Sequence, residues 1–264
     1  MKTALICHED ALLDREGLVR WLGSFSEVKG VLVLREKRKR LWKRIRHELR
    51  RSGVLGLLDV FAFRIYSRIR LRARDSAQEA ALFDRLLAVY PPLSTAPVEK
   101  IVASPNSPET ADFLASAAPD ILVARCKTLL RPEIFSLARQ GAFAFHPGIC
   151  PEYRNAHGCF WALAQGDLGN VGMTLLKIDA GVDTGPIYGQ FRVPFQERAE
   201  SAHLIQLRSV FENLAPLRAA LESFHAGNAQ PLDVSGRASA TWGQPRLSTY
   251  LRWQRAARQR ALEK

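Results

Sequence analysis

No run of the 264 residues is apolar for the length that a bilayer-spanning helix requires, so an integral helical membrane protein is not expected. Cysteine is scarce: Cys7, Cys126, Cys150 and Cys159 are scattered with no CxxC spacing. That scatter excludes a disulfide scaffold and fits reduced thiols in a reducing compartment. His146, Cys150, His157 and Cys159 are zinc-ligand types, yet their spacing matches no common zinc pattern. Internal repeats and low-complexity tracts are also missing, which removes solenoids and linkers from consideration. The opening "MKTALICHED" brings charges directly after a short apolar run. It reads as a first strand and not as a signal peptide, and the expected location is cytoplasmic.

Basic charge, by contrast, is abundant and badly distributed. The formal net charge is +12, with a pI of about 10. Arg35 to Arg74 hold 15 Lys/Arg against 3 Asp/Glu, and the rest of the chain holds 23 of each sign. The excess therefore belongs to one insert. Its first half places Leu41, Ile45 and Leu49 four apart among basic residues. Its second half is apolar, with arginines at Arg64, Arg68, Arg70 and Arg72. Both halves read as helices with an apolar stripe and a cationic face. Three readings stay open: a helical cap with solvated charges, attachment to an anionic membrane surface through residues 35–74, and nucleic-acid binding. The last is the weakest, because a basic patch gives phosphate affinity and nothing here resembles a base-reading module.

Outside the insert, strands and helices alternate. Lys2 to Cys7 and Val28 to Leu34 are continuous apolar strands of the kind a parallel sheet buries. Strands are expected at "VEKIV", "ILVARC", "GAFAFH", "GNVGMTLLKID" and "GPIYGQFRVPF". Helices are expected near 13–22, 79–89, 107–120, 131–140, 156–167 and 201–224, with a basic helix at the end. This pattern predicts an α/β fold, a Rossmann-like doubly wound sheet that is mostly parallel with an antiparallel edge. The expected organisation is an α/β domain over 1–195, carrying the insert at 35–75, and a helical extension over 196–264.

Two loops carry the residues suited to chemistry. One is "FHPGICPEYRNAHG", where His146 follows an apolar strand. The other, "KIDAGVDTGPIY", begins 33 residues later, with Asp179 and Asp183 among glycines. Both are expected at the carboxyl ends of neighbouring strands, on one sheet edge. A carboxylate beside an imidazole can orient the ring and hold its proton. Equally, "DAGVDTG" can be a tight turn in which Asp caps backbone amides. Spacing alone leaves that choice open.

The run "FHPGICPEYRNAHGCFWALAQGD…VGMTLLKIDAGVDTGPI" resembles the catalytic domain of folate-dependent formyltransferases, a group covering methionyl-tRNA, glycinamide ribonucleotide and amino-sugar formyltransferases. The similarity extends from about Val98 to Pro194 and includes "PDILVARCKTLLRPEIF". It implies 10-formyltetrahydrofolate as donor and a small-molecule amine as acceptor. By the same resemblance His146 and Asp183 match the catalytic pair. Backbone near Thr128 and Leu130 would hold the pterin, with the loop through Asp179, Ala180 and Gly181 closing over it.

Two departures bear on activity. The family places Asn two residues before the histidine, whereas this chain has Ala144. Losing one oxyanion donor costs about 10²–10³-fold in rate. Asn155 stands where the family has glycine, either as a turn residue that tolerates left-handed geometry or as a relocated donor. The expectation is a formyltransferase acting on an amino sugar. The alternatives are a non-catalytic relative, a formyl-folate hydrolase and tRNA formylation. Too few residues follow the recognisable core for the carboxyl-terminal barrel of tRNA formyltransferases, which favours the sugar.

Overall fold

A computed structural model describes residues 1–35 and 40–263; residues 36–39 of the basic stretch and Lys264 lie outside the described residues. Among the described residues nine strands form, in chain order: β1 Lys2–His8, β2 Glu27–Leu34, β3 Val98–Val102, β4 Ile121–Ala124, β5 Gly141–His146, β6 Arg154–Asn155, β7 Gly172–Lys177, β8 Ile187–Arg192 and β9 Thr241–Trp242. The helices are α1 Val19–Gly23, α2 Arg40–Tyr66, α3 Arg72–Val89, α4 Pro108–Ala117, α5 Pro132–Phe135, α6 Gly158–Gln165, α7 Ala202–Phe211, α8 Leu214–His225 and α9 Leu247–Leu262. One sheet runs β3-β2-β1-β4-β5-β7-β8, and the two-residue strands β6 and β9 pair separately. The pairings from β3 through β5 are parallel, while β5–β7 and β7–β8 are antiparallel. This is the expected α/β, doubly wound, mostly parallel architecture.

The alternation of side chains along a strand decides which residues face which helices. Leu5, Cys7, Val31, Val33, Val123, Phe143 and Phe145 point to one face, where α3, α7 and α8 add Leu82, Leu86, Val210, Leu217 and Leu221. Ala4, Ile6, Leu32, Leu34, Leu122 and Ala142 point to the other, covered by Leu114 of α4 and Ile134 of α5. A further cluster joins Phe160 and Leu163 of α6 to Tyr250 and Trp253 of α9. α7 and α8 thus pack directly on the sheet, and α9 packs on α6.

Three elements differ from the sequence expectation. The helix expected over 201–224 breaks at Glu212 and Asn213, where Asn213 Nδ2 donates to the carbonyls of Ser209 and Arg192. Pro216 explains the break, since a ring without N–H fits the first turn of a new helix but not the interior of a long one. The helix expected over 131–140 is a single turn, because the N–H groups of Arg139 and Gln140 donate to Pro119 and Asp120 carbonyls on the way into β5. In the insert, α2 turns sharply at Gly53 (φ +68°), then runs through a π-helical turn at Ser67–Leu71 into α3 without a gap.

Trp253 fixes α9 to the rest: it is buried, packs edge-on against Phe160 and Tyr250, and donates Nε1–H to Glu197 at 2.9 Å. Trp253→Ala is expected to lower unfolding free energy by about 3–5 kcal/mol in urea titration. A loss below about 1 kcal/mol would mean that α9 contributes little to the folded core.

Candidate functional site

β5 ends on His146, whose ring is 6% exposed. Its Nδ1 lies 3.3 Å from Asp183 Oδ2, and its Nε2 lies 2.8 Å from the Tyr153 carbonyl. Both neighbours accept hydrogen bonds, and a neutral imidazole carries one N–H. The ring thus meets an acceptor at each nitrogen, the Tyr153 carbonyl at Nε2 and the Asp183 carboxylate at Nδ1. The loop makes this possible by passing close to itself. A Cβ on Gly148 would stand 2.7 Å from Tyr153 O and 2.8 Å from His146 Nε2, and one on Gly158 would stand 2.5 Å from Gly148 Cα. Glycine is the residue that leaves room there.

Asp183 reaches His146 by a route the sequence did not suggest. β7 runs antiparallel to β5, with Thr174 opposite His146 and Lys177 opposite Phe143. The loop after Lys177 therefore starts at the far end of β5, about 10 Å of strand away from His146. The two loops do not leave the same sheet edge, contrary to expectation. The aspartate loop instead folds back over the sheet face shared by Ala142, Ala144 and His146, with Ile178 packed into the core of that face. Asp179 closes the loop on itself, its carboxylate accepting from Gly181 N–H at 2.9 Å and from the Thr184 hydroxyl at 2.8 Å. At the neck, a Cβ on Gly185 would fall 1.8 Å from the Lys177 carbonyl. Asp183 sits in left-handed geometry (φ +50°), a region open to Asp at modest cost, and its Oδ2 also accepts the Asn155 N–H at 2.7 Å. The capping reading and the partnership with His146 thus hold together, one carboxylate oxygen serving both.

Asn155 is left-handed as well (φ +77°), in line with a turn substitution for glycine. Its carboxamide donates to the Trp242 carbonyl, so it is not a donor relocated toward His146. Ala144 packs in an apolar cluster with Cys150, Leu176, Ile187 and Val234, and brings no polar atom. In the segment expected to hold a pterin, the Leu130 side chain is core and the Thr128 carbonyl accepts from Cys126 Sγ–H at 3.3 Å. Asn106 pins that segment, donating to Leu129 O at 2.9 Å and accepting from Arg131 N–H at 2.9 Å. Backbone there is held rigidly beside the β4 end. Ala180 and Gly181 stand on the accessible side of the aspartate loop.

Several supporting residues escaped the sequence reading. Arg125, directly after β4, pairs with Asp14 at 2.9 Å and donates to the Phe145 carbonyl at 2.8 Å, with side chains 13% and 10% exposed. An arginine closing the apolar run "ILVARC" was the available signal. The tail is equally involved. Trp242 stacks between Tyr153 and Trp161, ring centroids 5.7 and 4.8 Å apart, and donates Nε1–H to Glu152 O. Arg237 forms two hydrogen bonds to the Glu152 carboxylate. The irregular segment between α8 and α9 therefore clamps the histidine loop.

A cavity of about 540 Å³ is lined by neither His146 nor Asp183. Its walls come from the insert (Phe63, Arg68, Arg72), from His157 and Phe160 at the start of α6, and from the tail. His157 connects the cavity to the histidine loop, two residues beyond Asn155. Among the described residues, no group of three or more His, Cys, Asp or Glu is placed to hold a metal ion.

Replacing Arg125 alone leaves Asp14 as an uncompensated, mostly buried charge. Arg125→Met is expected to cost about 3–5 kcal/mol in denaturant unfolding, and Asp14→Leu added to it should recover much of that loss. Additive losses would remove the pair from the framework behind His146.

The family model described as "Formyl transferase" matches residues 76–216, just over half of the chain and inclusive of His146 and Asp183. Methionyl-tRNA formyltransferase of Sorangium cellulosum is 30% identical over 161 residues, covering 58% of this chain and 50% of that protein. The Chlorobium limicola enzyme of the same name is 32% identical over 124 residues, covering 47% and 38%. The chain thus spans half or less of the length of these relatives. A sugar N-formyltransferase from Shewanella superposes with TM-score 0.55 at 13% identity, over 97% of this chain and 88% of that one. Glycinamide ribonucleotide transformylase 1 from Symbiobacterium toebii gives 0.54 at 16% identity, over 88% and 94%. At these identities the likeness is one of fold.

Proposed function

Because the chain belongs to the formyl transferase family, we propose that it moves a formyl group from 10-formyltetrahydrofolate to the amine of a small acceptor, an amino sugar. The observation that carries the reading is the 3.3 Å approach of His146 Nδ1 to Asp183 Oδ2. The acceptor nitrogen attacks the formyl carbon, a C–N bond forms, and negative charge gathers on the formyl oxygen. The nitrogen's proton passes to the His146–Asp183 pair. Collapse breaks the bond to folate N10, which takes up a proton. Ala144 supplies no side-chain donor and both His146 ring nitrogens already face acceptors, so the oxyanion lacks a dedicated side-chain donor and turnover is slow.

The residues present suit the donor. Asn106 fixes the backbone from Thr128 to Leu130 as a rigid edge for a pterin, and the loop through Asp179, Ala180 and Gly181 lies over the same sheet face as His146. The cavity supports a small acceptor over tRNA. About 540 Å³ lies within the ordinary size of small-molecule sites. Its walls carry Arg64, Arg68, Arg72 and His203 together with Asp75 and Glu79, charged groups of both signs that suit a polar acceptor.

Incubation with 10-formyltetrahydrofolate and a panel of nucleotide-linked amino sugars is expected to give a product heavier by one formyl group. His146→Ala and Asp183→Asn should each lower kcat/KM by about 10²–10⁴-fold. Formate release without an acceptor would replace transfer by hydrolysis, and folate-analogue binding with no turnover would favour a non-catalytic relative.

The cysteines offer an independent check on the donor site. Burial pushes the Cys7 thiol up to about 12 and the Cys159 thiol up to about 11, and raises that of Cys150 as well. A raised thiol keeps its proton below the shifted value, and only the thiolate reacts, so these three should resist iodoacetamide at about pH 8. Cys126, half-buried beside Thr128, should react first. A folate analogue is expected to slow that labelling; an unchanged rate would argue against a pterin at this edge.

A further inference from the structure

We propose that the second half of the basic insert is a membrane-docking helix, built to lie on an anionic bilayer surface. Residues Val54, Leu55, Leu58, Ile65 and Ile69 are all exposed, Leu55 at 83% and Ile69 at 70%. Their spacings of three, four and seven residues put them on one side of the helix. The opposite side is the one that faces protein: Val60 and Leu71 are buried there, and Phe63 packs against Phe160 and Tyr250. The helix is therefore apolar on both sides, with only one of them covered.

Charge complementarity chooses the occupant. Arg64, Arg68, Arg70 and Arg72 are exposed along the same stretch, inside the segment that holds the whole net positive charge of the chain. Arginines beside an apolar ridge reach headgroup phosphates while the ridge enters the acyl boundary. A second copy fits less well, since pairing two identical faces brings one set of arginines against the other. A nucleic acid would use the arginines but leave Leu55, Leu58, Ile65 and Ile69 in water. No helix among the described residues is long and apolar enough to cross a membrane, so the attachment is a surface one. Docking in this way also sets the cavity near the bilayer, because Phe63 and Arg64 of the same helix form part of its wall.

The test is co-sedimentation of the full chain with vesicles of phosphatidylglycerol and phosphatidylcholine, compared with phosphatidylcholine alone. The wild type should pellet with the anionic vesicles. Leu55→Glu/Ile65→Glu/Ile69→Glu should reduce the partition constant about tenfold or more while leaving the circular dichroism spectrum unchanged, as the replaced side chains are exposed. Arg68→Gln/Arg70→Gln should weaken binding and flatten its fall as salt rises from about 0.1 M to about 1 M. The proposal is overturned if the wild type stays in the supernatant. It is equally overturned if the triple glutamate variant binds like the wild type while the arginine variant does not, which marks a purely electrostatic partner such as RNA. Light scattering that shows a dimer dissociated by the glutamates, with no vesicle binding, would assign the ridge to a second copy instead.

Discussion

One carboxylate oxygen of Asp183 meets two partners, the His146 ring and the Asn155 amide, and the architecture around it serves to keep those three groups together. The histidine comes from a parallel strand end and the aspartate from a loop that starts at the opposite end of an antiparallel neighbour. Bringing them together requires the aspartate loop to travel back along the sheet, which needs a closed neck and an internal anchor. Gly185 provides the first and Asp179 the second, and left-handed backbone at Asp183 and Asn155 lets the two chains turn toward each other. A carboxylate held by a backbone amide has little freedom to leave the imidazole. Such preorganisation is what proton transfer at a reacting centre rewards.

Behind this contact stands a layer of less visible support. Arg125 spans the point where strand order reverses, neutralised by Asp14 and bonded to the carbonyl just before His146. The tail arrives on the other side, where Trp242 is sandwiched by Tyr153 and Trp161 and holds the Glu152 carbonyl. Tyr153 O, the acceptor for His146 Nε2, is thus gripped by a segment almost ninety residues later in the chain. Rigid backbone around an imidazole limits which ring nitrogen bears the proton, and so ties tail packing to the state of the His146 ring.

The insert adds a second level of organisation outside the family core. One side of its second helix walls the cavity through Phe63 and Arg64, and the other presents Leu55, Leu58, Ile65 and Ile69 to the surroundings. A single helix can separate two environments because its period of about 3.6 residues distributes neighbours in sequence over opposite sides. The same property concealed the outer ridge in the sequence, where both apolar sides merge into one run from Val54 to Tyr66.

The sequence by itself determined the strand and helix alternation, the identity of the two loops, and the pairing of an imidazole with a carboxylate through the "FHPG" and "DAGVDTG" resemblance. These are local or pattern-borne properties: apolar periodicity, turn residues, and a motif whose members travel together. It also carried the concentration of charge in 35–74. Tertiary structure alone decided how Asp183 reaches His146, because strand direction at β7 follows from sheet pairing and not from local propensity. Only the fold shows that Asn155 turns its carboxamide to Trp242, that Ala144 lies in an apolar cluster, and that Arg125 finds Asp14 across 111 residues. Each of these depends on contacts between distant segments, and no window of sequence contains both partners.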